Sequence, residues 1–221
     1  MSTLASDTFT RADSGSIGSD WTEVSGTWDI ASNKLKLTTF SSTGANAHTD
    51  DEATWDTALN ASPAADYDVE CVVNAGTTGG LGVLGRRQDL NNTYWLRINT
   101  VSQYLRMYKT VSGTVTQLGS TYSGGQSSGV DYTIKLSMVG SSLTGYQAGT
   151  SRITATDSAI TATGKPGVFG DSSNKLFDSF AVYGTLASSS AIKTALGLAK
   201  ASVKTVDGLA IASVKTMDGL A

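Results

Sequence analysis

From Asp7 to Leu186 the sequence breaks into short runs in which apolar and polar residues alternate, each run closed by turn residues. Alternation of period two sends successive side chains to opposite faces, so each run suits a strand with one face buried and the other wet. In Tyr67 to Val73 the residues Val69, Cys71 and Val73 fall on one side, and Asp68, Glu70 and Val72 on the other. Trp28-Asp29-Ile30 and Lys34 to Leu37 flank Ala31-Ser32-Asn33, which reads as a turn. Leu81 to Arg87 follows the break at Gly79-Gly80 and precedes the turn Asp89-Leu90-Asn91-Asn92. Tyr94 to Asn99 and Gln103 to Thr110 read as a hairpin, and Thr114 to Leu118, Asp131 to Val139, Ser142 to Ala148 and Lys175 to Tyr183 continue the series. Many short strands at this spacing imply an all-β chain, an antiparallel β-sandwich or barrel. The chain carries 24 Gly against 2 Pro, as strands joined by tight turns require.

After Gly184 the composition shifts. Ser188-Ser189-Ser190 reads as a linker, which divides the 221 residues into a sandwich domain over 1–186 and a tail over 187–221. The tail is a repeat of period eleven: Ser190 to Lys200, Ala201 to Ile211 and Ala212 to Ala221 are three copies of one pattern. On a helix Val203, Val206, Leu209, Ala210, Val214, Met217 and Leu220 would share a face, and a period of eleven would wind a right-handed coiled coil. Asp207-Gly208 and Asp218-Gly219 are turn signals instead, and each Gly costs a helix about 1 kcal/mol, which tips the balance towards strand and turn. In either form so small a repeat needs a partner to bury Val203, Val206, Leu209, Val214, Met217 and Leu220. That partner is another protein surface or further copies of the chain, with a trimer favoured.

Several function classes are excluded at this level. The net charge is −3 and the pI about 5.0, with no basic patch able to neutralise many phosphates, so no nucleic-acid partner is expected. No apolar run approaches the roughly 18 residues of a membrane span, and Met1 to Thr10 lacks the basic stretch and apolar core of a secretory signal. Cys71 is the only cysteine, so no internal disulfide is possible, and its strand-like setting reads as a small buried hydrophobe. With His48 the only histidine, neither a Cys–His nucleophile nor a zinc site assembles without carboxylates filling in. The Gly-x-Ser-x-Gly and phosphate-cradling Gly-x-x-x-x-Gly-Lys patterns are absent, and the chain is read as non-enzymatic.

Two groups of residues can carry chemistry. On the Tyr94–Asn99 strand Trp95, Arg97 and Asn99 share a side, and on the next strand Tyr104, Arg106 and Tyr108 do. Leu96, Ile98, Leu105 and Met107 take the opposite side and should be core. Trp95, Tyr104 and Tyr108 would offer flat apolar platforms to sugar rings, while Arg87, Arg97 and Arg106 could bond hydroxyls or acidic groups; cross-strand pairing or a subunit interface would use the same residues. In the second group, Asp66-x-Asp68-x-Glu70, alternation would place three carboxylates on one strand face. Asp50-Asp51-Glu52 reads as a solvated loop.

Asp7-Thr8-Phe9-Thr10-Arg11-Ala12-Asp13, Ile17-Gly18-Ser19-Asp20-Trp21, Gly26-Thr27-Trp28 and Ser32-Asn33 together resemble the opening of laminin-G-like, concanavalin A-like jelly rolls. Gly82 to Asp89 followed by Asn91-Asn92-Thr93-Tyr94 is similar to the hairpin of that family, and Tyr132 to Ser137, Gly140 to Tyr146 and Lys175 to Tyr183 to its closing strands. The resemblance covers roughly residues 5–186. It implies a jelly-roll β-sandwich, with the Tyr94–Thr110 hairpin near the concave sheet where lectins of this class bind. It implies possible calcium between the first and last strands, where Asp7 and Asp178 stand, an oxygen pair suited to that ion but short of a full shell. Glycosidases of this superfamily use acidic residues alternating on a strand, which makes Asp68 and Glu70 the hydrolase alternative. The tail pattern Lys-Thr-(Val/Met)-Asp-Gly-Leu-Ala is similar to the ends of some bacteriophage structural proteins. The resemblance therefore implies a virion surface protein of head or tail, either a decoration protein or a fibre adhesin. Its capsid or tail partners would be held through the tail, and host surface glycans would be bound by the sandwich. A carbohydrate-binding module of a cell surface is the alternative.

Overall fold

The computed structural model describes residues 1–41, 50–56 and 65–184, together with the backbone of two short strands near the C-terminus. The chain divides into two units, Met1–Leu186 and Ala187–Ala221. In the first, the strands are β1 (Ser2–Asp7), β2 (Trp21–Glu23), β3 (Thr27–Ala31), β4 (Lys34–Thr39), β5 (Asp51–Trp55), β6 (Tyr67–Asn74), β7 (Gly80–Asp89), β8 (Asn92–Asn99), β9 (Tyr104–Val111), β10 (Thr114–Tyr122), β11 (Tyr132–Val139), β12 (Ser142–Gln147), β13 (Thr150–Thr156), β14 (Lys165–Gly170) and β15 (Lys175–Gly184). They build two antiparallel sheets. The first runs β13-β12-β11-β6-β15-β4-β3, with β1 also laid along β15; the second runs β10-β9-β8-β7-β14-β5-β2. This is the jelly-roll sandwich that the alternation and the resemblance lead one to expect.

The hairpins follow from local chemistry. Between β3 and β4, Ser32 and Asn33 both take positive φ, 53° and 58°; between β9 and β10, Ser112 and Gly113 do the same at 47° and 78°. Two successive left-handed residues give the turn whose twist matches that of paired strands. The alternation then decides what is buried. Val69, Cys71 and Val73 of β6 meet Leu96 and Ile98 of β8 and Leu105 and Met107 of β9 in one continuous core, each fully buried.

The sequence reading differs from the structure at the short strands. The alternating runs leave out β1, β2, β5, β13 and β14, and Asp50-Asp51-Glu52 is no solvated loop: all three side chains are buried and Asp51 and Glu52 open β5. A run of three carboxylates looks solvent-bound until its partners are known: Asp50 and Glu52 meet Arg97 and Arg87 of strands distant in sequence, and Asp51 accepts from Ser41. In the tail, β16 (Thr205–Val206) pairs antiparallel with β17 (Leu209–Ala210), with Val206 opposite Leu209, the strand form of the repeat rather than the helical one. Val203, Val214, Met217 and Leu220 lie outside the described residues, as does His48.

One residue ties the connections at one end of the sandwich. Arg86 has a left-handed φ of 45°, at the point where the β7–β8 register shifts. Its guanidinium is buried and donates to the carbonyls of Ala65 (2.7 Å), Gly140 (2.9 Å) and Ile160 (3.0 Å), and pairs with Asp66 at 3.1 Å. The Tyr67 hydroxyl accepts the Arg86 backbone N–H and donates to Gly164 O at 2.8 Å. Loss of the side chain strips three carbonyls of their donor. Arg86→Ala is therefore expected to lower stability by about 3 kcal/mol, read as a fall in the urea midpoint with little change in slope.

Candidate functional site

The outer face of the second sheet, turned away from the core, carries the polar and aromatic residues that alternation predicts there. The β8–β9 ladder sets Trp95 opposite Tyr108, Arg97 opposite Arg106 and Asn99 opposite Tyr104. Neighbouring β7 is glycine-rich on this face. A Cβ at Gly80 would lie 2.6 Å from Arg97 Nε, and one at Gly82 would run into the Leu96 carbonyl oxygen of β8 and lie 2.8 Å from Phe169 Cζ of β14. The missing side chains thus make room for Arg97 and Phe169.

Two buried ion-pair groups floor the face. Arg97 Nη1 reaches Asp50 Oδ2 at 3.1 Å and its Nη2 pairs with Asp171, which follows β14. Burial alone would lower the Arg97 pKa, but Asp50 and Asp171 outweigh it and hold the guanidinium above its ordinary value. Asp171 also accepts Gly80 N–H at 2.7 Å and lies 3.8 Å from the ammonium of Lys175, a fully buried lysine that donates to Ala75 O at 2.9 Å and to Thr78 O. Further along the sheet, Arg87 Nε meets Glu52 Oε2 at 2.6 Å, the two side chains 8% and 0% exposed. A charge this deep survives only with its counter-ion beside it.

The aromatic residues divide between floor and surface. Trp95 is 3% exposed, so it offers no free platform of its own. Its ring stacks under Tyr108 (centroids 4.2 Å apart, planes at 16°) and meets Phe169 edge-on, and its Nε1–H donates to Thr110 Oγ1 at 3.1 Å. Tyr104, Arg106 and Tyr108 remain partly exposed. The Arg106 guanidinium lies over the Tyr104 ring, 4.0 Å from its centroid, and its Nε–H donates to Thr121 Oγ1 at 3.0 Å. The structure thus gathers Arg87, Trp95, Arg97, Tyr104, Arg106 and Tyr108 on one sheet face, with Trp95, Arg87 and Arg97 as support and the β9 residues as surface. Asp50, Glu52, Asp171 and Phe169 of this face escape the sequence reading. For Glu52 a signal exists, since Ala53 and Trp55 alternate apolar behind the acidic run.

The other expected groupings do not assemble. Asp7 accepts from Arg11 Nη1 at 2.8 Å, from the Phe9 N–H at 2.7 Å and from Trp21 Nε1 at 2.9 Å. Asp178 faces Lys34 at 3.9 Å. The two carboxylates expected to share a calcium ion are each taken by cations or donors of the chain, and no group of three His, Cys, Asp or Glu side chains suited to a metal occurs among the described residues. Of Asp66, Asp68 and Glu70, only the last two stand on the outer face of β6. Asp66 precedes the strand and is held by Arg86, while Asp68 pairs with Lys135 at 3.2 Å.

No family model matches the sequence, and no curated protein is similar to it in sequence. Similar solved structures are found. The chain resembles the carbohydrate-binding module CBM66 from Bacillus subtilis with a TM-score of 0.62 and 17% identity, over 74% of this chain and 94% of that one. It resembles a β-glucanase of Bacillus licheniformis at 0.53 and 13%, over 82% and 97%. It also resembles the exoplasmic/lumenal domain of VIP36 in a Ca2+/Man2-bound form, at 0.51 and 14%, over 78% and 85%.

Two outcomes are expected of the site's electrostatics. Glu52→Ala leaves Arg87 buried without this partner and should cost about 3–5 kcal/mol in chemical unfolding, with much of the loss recovered in Glu52→Ala/Arg87→Met. Burial acts to raise the Asp7 pKa, but hydrogen bonds from Arg11, Phe9 N–H and Trp21 hold it below its ordinary 3.8. A depressed folded value contributes stability that is complete above pH 3.8 and is lost as the pH falls through the folded value. The stability gap between the wild type and Asp7→Asn should therefore be widest at pH 7 and close in acid, as followed by unfolding at a series of pH values. The likenesses to solved structures give the molecule a jelly-roll β-sandwich fold, shared with a carbohydrate-binding module and a glucanase alike.

Proposed function

We propose that the sandwich is a non-enzymatic carbohydrate-binding module whose ligand lies along Tyr104, Arg106 and Tyr108 on the outer face of the second sheet. One observation carries this reading: a partly exposed strip of two tyrosines and an arginine in which buried Trp95 supports Tyr108, and Thr121 and the Tyr104 ring orient Arg106. Trp95 props Tyr108 from below, so the free face of Tyr108 is presented without much side-chain entropy to lose. A sugar ring covers such a face with its C–H groups, and guanidinium N–H donors serve its hydroxyls. The likeness to a carbohydrate-binding module supports the reading. The ion pairs favour binding over hydrolysis, because Asp50, Glu52 and Asp171 are each paired with an arginine of the chain rather than presented to a ligand.

The setting we propose is the surface of a bacteriophage particle, with the tail at 187–221 as attachment and the sandwich displayed towards host glycans. The repeat supports this, since units of eleven residues gain stability only by stacking on one another or on a partner. Full-length protein should then co-sediment with particles while residues 1–186 stay in the supernatant.

A glycan array probed with the full-length chain tests the module reading. At least one saccharide should be retained, no array ligand should release new reducing ends, and Tyr108→Ala should weaken binding about tenfold, equivalent to about 1.4 kcal/mol. An array on which the wild type holds nothing would sink the proposal.

A further inference from the structure

Three arginines stand on the outer face of the second sheet, and two are already spoken for: Arg87 by Glu52, Arg97 by Asp50 and Asp171. Arg106 differs. Among the described residues its partners are all neutral: Thr121 Oγ1 on Nε, the Tyr108 hydroxyl 3.5 Å from Nη1, and the Tyr104 ring beneath the guanidinium plane. No carboxylate of the described residues pairs with it. Directly across the ladder stands a second cation, Arg97, whose own counter-ions come from the β5 and β14 side of the sheet. Asp50 and Asp171 neutralise Arg97, so of the two facing cations Arg106 alone keeps a positive charge with no carboxylate beside it among the described residues, and that charge favours an anion.

The orientation adds to the charge. Thr121 holds the Nε edge of the guanidinium and the Tyr104 ring lies against its plane, which leaves Nη2 without a partner among the described residues, beside an Nη1 whose one bond, to the Tyr108 hydroxyl, is long at 3.5 Å. The fork of Nη1 and Nη2 matches the two oxygens of a carboxylate or a sulfate. The stacked face of Tyr108 lies within reach of the same guanidinium. An anion carried on a ring that stacks on Tyr108 would satisfy both at once.

From this geometry we infer that the ligand is an acidic saccharide, whose uronate carboxylate or sulfate ester is held by Arg106 while its ring rests on Tyr108. The inference rests on the carbohydrate-binding reading and names its ligand class.

Calorimetry of the full-length protein with polygalacturonate, with the same polymer methyl-esterified to neutrality, and with dextran sulfate beside dextran provides the test. The wild type should prefer an acidic polymer over its neutral counterpart by at least ~10-fold, and the preference should shrink as salt rises from 0.1 to 0.5 M. Binding confined to polygalacturonate identifies a carboxylate, and binding confined to dextran sulfate a sulfate; either supports the inference. Arg106→Gln should bring acidic and neutral affinities together. Arg106→Lys, which keeps the charge without the fork, should retain only part of the preference. Tyr108→Ala should weaken both polymers alike. Equal affinity of the wild type for acidic and neutral forms, or an undiminished preference in Arg106→Gln, overturns the acidic ligand and leaves the module reading intact. Binding of neither form overturns the acidic ligand, and the module reading then stands or falls with the glycan array. Inhibition by millimolar inorganic sulfate as strong as that by the polymer would reduce the site to a general anion site and also overturn it.

Discussion

Each strand of the sandwich must turn its apolar alternate towards the space between the sheets, and the observed registers are those that let every strand do so together. On β8 and β9 this places Leu96 against Met107 and Ile98 against Leu105 in the core. A slip of one residue would drive Trp95, Arg97 and Arg106 inward and expose four large apolar side chains. Burial of the inner face thus fixes the outer face without any interaction of its own, and the order of aromatic and cationic residues along Tyr104, Arg106 and Tyr108 is a by-product of how the core packs.

The outer face of the second sheet is unusual in how much charge it buries. Asp50, Glu52 and Arg87 are almost wholly withdrawn from water, and Arg97 nearly so. Groups of this kind add little net stability over apolar residues of the same volume, because desolvation offsets most of the attraction. What they supply is direction. Arg97 can lie only where Asp50 and Asp171 both reach it, and Asp171 in turn fixes Gly80 and the ammonium of Lys175. The three surface side chains of β9 take their own geometry from Trp95 beneath Tyr108 and from Thr121 and Tyr104 around Arg106.

Much of this was legible in the sequence. The hairpin of β8 and β9, its inner and outer faces, and the gathering of Trp95, Arg97, Tyr104, Arg106 and Tyr108 follow from alternation alone. So does the core face of β6. The division of labour among the outer residues does not, because whether a tryptophan is platform or prop depends on β14, whose Phe169 lies seventy-four positions further along the chain. β5 escaped for a similar reason: Asp51 and Glu52 look solvated until the fold brings Ser41 to the one and Arg87 to the other. Asp7 and Asp178 sit on the first and last strands of the sandwich as the resemblance implies, with Arg11 beside the one and Lys34 of β4 facing the other.

Cys71 lies at the centre of β6, fully buried, and burial pushes its thiol far above the ordinary value. A thiol held protonated and out of contact with water does not react while the sheets stay together. Its rate of modification therefore measures how often the two sheets separate, so the molecule carries its own clock for global opening, one that needs no added label and is blind to fraying at the strand ends.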